Sequence, residues 1–333
     1  MISSYYYTTL SDPDRCEYDQ ILNAVRERQP VVRAGSMCNI EVYQEIVNNH
    51  PELFYMNPTK ILITSSLMHK EMKMFYIYSD AEVKKYQEQL DEVVEYVKRE
   101  LIDEHQSEYD RVLVLHDYLK TSIEYDRDTA AGRNKAPEAH NIIGGLILHK
   151  GVCDSFAKSF KYLCDALGID CVTITGMGNN ELEHGPHAWN AVKINGIWQQ
   201  IDVTWDNQFM EDKSIPNYCY MNLSDDEMNR DHTWNRRMAP PCPDSPYSYF
   251  RMNDCLLDSK VQLERYLKDC LEMEEEQILF KVASSSRLEM EIAGCLQECV
   301  FRAASKCRGV SVASFQCTMF PEHKVYSLTP VYR

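Results

Sequence analysis

Residues 151–206 read GVCDSFAKSFKYLCDALGIDCVTITGMGNNELEHGPHAWNAVKINGIWQQIDVTWD, and the fold turns on the last twenty of them. Asn195-Gly196 lies between HAWNAVKI (187–194) and IWQQIDVT (197–204). A two-residue Asn-Gly link between strand-like runs predicts a type I′ hairpin, because both turn residues need positive φ. With Ile194 facing Ile197, counting back places Ala191 opposite Gln200, Trp189 opposite Asp202 and His187 opposite Thr204. Side chains alternate with period two, so His187, Trp189, Asp202 and Thr204 are expected on one face. His187 and Asp202 are then diagonal neighbours, about 7–8 Å apart between backbones and closer between side chains, within reach of a carboxylate–imidazole hydrogen bond. A slip of one residue would carry one of them to the other face and abolish the pairing.

The element before the hairpin brings a thiol. Phe156, Phe160, Leu163 and Leu167 recur at helical intervals, and Gly168 stands where a helix would stop. Cys153 therefore falls in the first turn. A helix N-terminus favours negative charge and lowers a thiol pKa, and a neighbouring imidazolium lowers it further. The chemistry these residues suit is thiolate attack by Cys153, proton handling by His187, and an Asp202 that fixes the imidazole tautomer. An oxyanion hole would use the Cys153 backbone N–H and a second donor that the sequence does not identify. With 13 cysteines in the chain, a typical one is a small buried hydrophobe, and the coupled hairpin is what sets Cys153 apart. Asp206 reads as a turn residue. Trp189 and Trp205 read first as packing residues, with Trp189 also a candidate for lining the substrate site.

The pieces GVCDSFA, HAW and IDVTWD resemble the transglutaminase-like superfamily, relatives of papain-type cysteine proteases. That resemblance implies an α+β core with the cysteine at the N-terminus of a buried helix and the histidine and aspartate on adjacent strands. Two flanks, LHDYLKTSIEYD (115–126) and YCYMNLSDDEMNRDH (218–232), are similar to bacterial members, so the resemblance spans roughly residues 105–235. One departure stands out. Bacterial relatives usually carry Gln-Gly-Tyr or Glu-Gly-Tyr after the cysteine, whereas this chain has Asp154-Ser155-Phe156. The nucleophile is intact, and the change falls on the substrate side, where Asp154 would bear on acidic substrates. His140, just upstream, either lines the acyl site or serves loop hydrogen bonding.

A net charge of −16 argues against nucleic-acid and anionic-membrane partners, which need basic patches to replace counterions. The most basic cluster, Arg230 to Arg237, includes Asp231 and reads as a solvated loop. The N-terminus has no basic-then-apolar leader pattern, and the apolar run IIGGLIL (142–148) is far shorter than a membrane span, so a cytoplasmic protein is expected. An odd cysteine count in a chain of this length favours a reducing compartment over a disulfide framework. No CxxC occurs, and neither Cys295/Cys299 nor His184-Gly-Pro-His187 has zinc-site spacing, so no metal and no cofactor are expected.

Three parts are expected along the chain. Residues 1–100 form an α/β accessory domain, with Ser11 as an N-cap, strands ILITSS and MFYIYS, and a long helix over 81–102. Residues 101–245 form the transglutaminase-like core, with a helix over 108–121 and a polar loop over 126–140. The proline-rich run RRMAPPCPDSPY (236–247) reads as a linker. Residues 246–333 form an α+β accessory domain with a strand near 248–253, a helix near 258–272, strand ILFKVA, a helix over 286–305 and two final strands. The expected activity is acyl transfer or hydrolysis at a carboxamide or peptide bond of a peptide or protein substrate, with hydrolysis favoured over crosslinking. The rival reading is a peptide-binding scaffold that keeps the fold without chemistry.

Overall fold

The computed structural model describes residues 4–65, 70–179, 184–208 and 217–333. The chain divides into two compact units. Met1–Gln208 and Leu223–Asp244 make the first, so residues 1–100 and the segment carrying Cys153 share one unit. Ser245–Arg333, joined by the described residues 217–222, makes the second, and the division falls inside the proline-rich run.

In the first unit, Ser11 caps α1 (Asp12–Arg26) by accepting from the Asp14 N–H. β1 (Val31–Ala34) leads to α2 (Ile40–Asn49), then to the antiparallel pair β2 (Met56–Ser65) and β3 (Lys70–Tyr76), and the sheet order is β1-β3-β2. The expected strand MFYIYS is displaced toward the N-terminus, because Ser79 already forms a capping box with Glu82 and opens α3 (Asp80–Tyr96). Ser66, the end of ILITSS, lies outside the described residues. α3 runs into a π-helical turn, Val97–Leu101, and stops at Ile102.

Two asparagines stitch this part to the rest of the unit. Asn49 donates to Thr173 O and accepts from Thr173 N, satisfying strand backbone that has no neighbouring strand there. Asn141 donates to Phe54 O.

α4 (Glu108–Ser122), capped by Ser107, precedes the expected loop, which is ordered by short helices at Arg127–Ala130 and Pro137–His140. α5 (Cys153–Ala166) follows, and the chain leaves it through Gly168 at φ 73°. The central sheet comprises β4 (Cys171–Asn179), β5 (His184–Ile194), β6 (Ile197–Ile201) and β7 (His232–Trp234) in the antiparallel order β6-β5-β4-β7. Asn195 at φ 48° and Gly196 at φ 84° make the expected turn, and Ile194 pairs with Ile197 and Ala191 with Gln200.

The register ends at Asn190 opposite Ile201, one residue before Asp202. His187 therefore does not face Thr204, because α6 (Val203–Gln208) begins there instead. Asp202 Oδ1 accepts from the N–H groups of Thr204 and Trp205 at 2.9 and 3.1 Å. This local side-chain-to-backbone bonding competes with the strand ladder and turns the chain into a helix.

In the second unit, β8 (Leu256–Leu257) pairs in parallel with β9 (Ile278–Val282), and the sheet order is β8-β9-β11-β10 with β10 (Val312–Phe320) and β11 (Val325–Tyr332). α7 (Lys260–Glu272) and α8 (Arg287–Lys306) pack together and bury Leu263, Leu267, Leu288 and Ile292. The strand expected near 248–253 is instead a short helix, Tyr249–Met252. SYFRMN has no period-two alternation to hold it in a sheet, and Phe250 is buried while Tyr249 stacks on Tyr218 at 3.8 Å. All 13 cysteines are free thiols. No helix among the described residues is long and apolar enough to cross a membrane.

Candidate active site

Cys153 is the first residue of α5 and is 7% exposed. It shares a buried cluster with Ala157, one turn along the helix, and Ala188 of β5. Asn190, two residues further on, donates from Nδ2 to Ala157 O at 3.0 Å, which fixes the helix on the strand. The thiol therefore stands over the strand position next to His187. N–H groups in a first helical turn have no intrahelical acceptor and favour an anion there.

His187 Nε2 lies 2.6 Å from Asp202 Oδ2, with both side chains fully buried. The diagonal pairing expected from the hairpin is met, although Asp202 acts from the head of α6 rather than from a strand. Burial alone would raise the Asp202 carboxyl. The charge and hydrogen bond of His187, together with the bond from His232, outweigh it and hold the group well below the usual carboxylate range.

Trp189 is buried at 1% exposure, and its indole N–H donates to Gln200 Oε1 at 2.7 Å. It walls the imidazole rather than facing solvent: ring centroids of His187 and Trp189 lie 5.9 Å apart, and those of His187 and Trp205 lie 5.0 Å apart. Two glycines of β4 make room for the indoles. A Cβ at Gly176 would stand 2.8 Å from Trp189 Cη2, and one at Gly178 would stand 2.7 Å from Trp205 Cζ2. TGMG (175–178) is thus the sequence trace of an aromatic box.

His232 of β7 completes that box, and the sequence reading assigned it no role although one quoted flank ends on it. Its Nε2 lies 3.3 Å from Asp202 Oδ2 and its Nδ1 lies 2.7 Å from Asp231 Oδ1. Burial would lower its pKa, but the two carboxylates outweigh that and raise it.

Beside Cys153, His140 Nδ1 lies 3.1 Å from Asp154 Oδ2, and these side chains are 28% and 31% exposed. The Cys153 thiol donates to Asp154 Oδ1 at 3.3 Å. Lys158 Nζ, from the next turn of α5, donates to His140 O at 3.0 Å. Burial would raise the Asp154 carboxyl, yet the His140 hydrogen bond and the Lys158 charge hold it well below the usual range. Burial also depresses the Lys158 ammonium, against the pull of Asp154 and Cys153. Of the three residues that depart from the usual family pattern, only Asp154 is partly exposed. Ser155 is fully buried and donates to Asn141 O at 2.7 Å, and Phe156 lies in the core.

A second buried pair also escaped the sequence reading. Asp206, expected in a turn, lies inside α6 at 0% exposure, with its Oδ2 3.0 Å from His116 Nε2 of α4. His116 Nδ1 lies 3.1 Å from Asp117 Oδ1. Burial would lower the His116 pKa, but the Asp117 and Asp206 hydrogen bonds raise it.

Residues 95–203 match the family model of the transglutaminase-like superfamily. Two curated relatives align with this chain. The kyphoscoliosis peptidase of Mus musculus is 29% identical over 120 residues, covering 34% of this chain and 18% of that protein. The kyphoscoliosis peptidase of Homo sapiens is 30% identical over 130 residues, covering 37% of this chain and 19% of that protein. The matched stretch thus spans about a fifth of the length of these relatives. A solved structure described as a TGase aligns at a TM-score of 0.27 with 16% identity, covering 52% of this chain and 50% of that one.

Proposed function

Residues 95–203 form a domain of the transglutaminase-like superfamily, and from that premise we propose that the chain cleaves a carboxamide or peptide bond through a Cys153 thioester. The observation that carries this reading is the buried 2.6 Å contact between His187 and Asp202, set beside a cysteine in the first turn of α5.

Asp202 occupies Nε2, so Nδ1 is the ring nitrogen that takes the thiol proton. The thiolate adds to the carbonyl carbon, and the Cys153 backbone N–H at the head of α5 would donate to the developing oxyanion, since the Ser155 and Phe156 N–H groups are already bonded to Val152 O. His187 then gives its proton to the leaving amine as the C–N bond breaks and the thioester remains. Water, deprotonated by His187, attacks the thioester and releases the acid and the thiol. Hydrolysis is favoured over transfer to an amine because the matched relatives are named peptidases. His140 and Asp154 line the entry in this reading.

The test is competitive labelling with limiting iodoacetamide near neutral pH, mapped by mass spectrometry. Cys153 should label ahead of the exposed thiols Cys16 and Cys317, and Cys153→Ala should abolish hydrolysis in a screen of amide and peptide substrates. Labelling of Cys153 no faster than those thiols, with Cys153→Ala leaving every measured activity unchanged, overturns the reading.

A further inference from the structure

Asp202 binds two imidazoles, while the proposed chemistry uses one. Each carboxylate oxygen carries two contacts. Oδ1 receives the N–H groups of Thr204 and Trp205, and Oδ2 meets His187 at 2.6 Å and His232 at 3.3 Å. The ligand-type atoms of His187, Asp202 and His232 all lie within 4.8 Å of one another, a grouping that a divalent metal also favours. Protons account for it better. Two ligands around a tetrahedral zinc stand roughly 3.3 Å apart, given bonds of about 2.0–2.1 Å; His232 Nε2 is at that spacing from Asp202 Oδ2, but His187 Nε2 is at 2.6 Å, the spacing of a charge-assisted hydrogen bond and short for two ligands of one ion.

The groups facing this cluster alternate in sign. Asp231 holds His232 Nδ1, His232 meets Asp202, and Asp202 meets His187. Around the His232 ring, α6 supplies Trp205 at 4.1 Å, β5 supplies Trp189 at 4.7 Å and His187 at 5.4 Å, and Gly178 of β4 lies opposite. Asp202 is fully buried, so each of these donors bears on its orientation.

We propose that His232 is a positioning residue for acyl transfer: held by Asp231, it donates to Asp202 and locks the carboxylate in the orientation that aligns His187 with the Cys153 thiol. It acts through Asp202 and touches no substrate. This inference rests on the triad reading above, and its test separates the two.

The readout is the rate of Cys153 alkylation by iodoacetamide in the full chain, measured from pH 5 to 9, alongside the thermal unfolding midpoint. His232→Phe keeps a ring but no donor, whereas His232→Gln keeps an N–H that can reach Asp202. His232→Phe should slow Cys153 labelling near neutral pH roughly tenfold, the scale set by a hydrogen bond to a charged group, and should move the rise in rate to higher pH. His232→Gln should recover most of the rate and the wild-type profile, even if both variants lower the midpoint equally. Wild-type rate and profile in His232→Phe would overturn the proposal, as would equal losses in Phe and Gln variants that track the midpoint. If His232→Phe does not fold, Asp231→Asn replaces it: a slower, shifted profile supports the proposal and an unchanged one overturns it. A wild-type Cys153 that reacts no faster than Cys16 and Cys317 overturns the triad reading instead.

Discussion

Asp202, just before α6, and Asp206, within it, lie four residues apart, and each grips a buried imidazole. The bonds are alike in kind, at 2.6 and 3.0 Å, and all four side chains are fully shielded from solvent. Their surroundings differ. His187 sits on β5, next to the Ala188 that packs under Cys153, whereas His116 sits inside α4 with a carboxylate on each ring nitrogen. An imidazole–carboxylate pair therefore says nothing about catalysis by itself. In the proposed mechanism the His187 pair serves the Cys153 thiol, whereas the His116 pair, with Asp117 on one ring nitrogen and Asp206 on the other, is placed as a structural clamp.

The sharpest way to break this contrast is to neutralise each carboxylate in turn. Asp202→Asn should cut Cys153-dependent activity on the order of 10³–10⁴-fold, because the amide no longer favours the productive tautomer and charge of His187. Asp206→Asn should leave activity within a few-fold while lowering stability by about 2–4 kcal/mol in urea unfolding, since it weakens a buried charged pair. Comparable losses of activity in both variants would mean that the two pairs are not different in kind.

A second measurement uses pH. The folded-state pKa of His116 is raised above its ordinary 6.5, so the pair's contribution to stability is fully present below that value and is lost as pH rises through the raised value. The midpoint difference between wild type and His116→Gln should therefore be largest near pH 6 and shrink in alkaline buffer. Asp202 has the opposite sign: with its carboxyl depressed from 3.8, its contribution is present above that value and fades only in acid. A His116 gap that widens with rising pH would contradict the clamp assignment.

The smallest expected effect lies beside Cys153. Asp154 is partly exposed and partly balanced by His140 and Lys158, so screening blunts its charge. Asp154→Asn should reduce the preference of Cys153 for a cationic over an anionic methanethiosulfonate reagent by about threefold, a change expected for a screened charge at this distance. An unchanged ratio would remove Asp154 from the entry.

The hairpin was more legible than the residues that pack around it. Asn195-Gly196 announces its own turn, and alternation from it leads to His187 and toward Asp202. The same count misplaces Thr204, because Asp202 bonds the N–H groups ahead of it and starts a helix where strand periodicity would continue. Asp206 reads as a turn residue for the same reason: its buried state depends on His116, 90 positions away. His232, 30 positions from Asp202, stood at the end of a quoted flank without any local pattern to give it a role. In the C-terminal unit, helical periodicity marks α7 and α8, while the short apolar stretch 248–253 carries no period long enough to separate a strand from the helical turn Tyr249–Met252.

By itself the sequence determined what neighbouring residues decide: the I′ turn, the helix whose first residue is Cys153, and the glycine that ends it. These follow from φ preferences and hydrogen bonds that span only a few positions. Only the tertiary structure decided which imidazoles meet Asp202, which indoles close over them across Gly176 and Gly178, and which carboxylate bonds the Cys153 thiol. Those choices depend on burial, which removes water as the competing partner and makes contacts between distant residues determine the charge and orientation of each group.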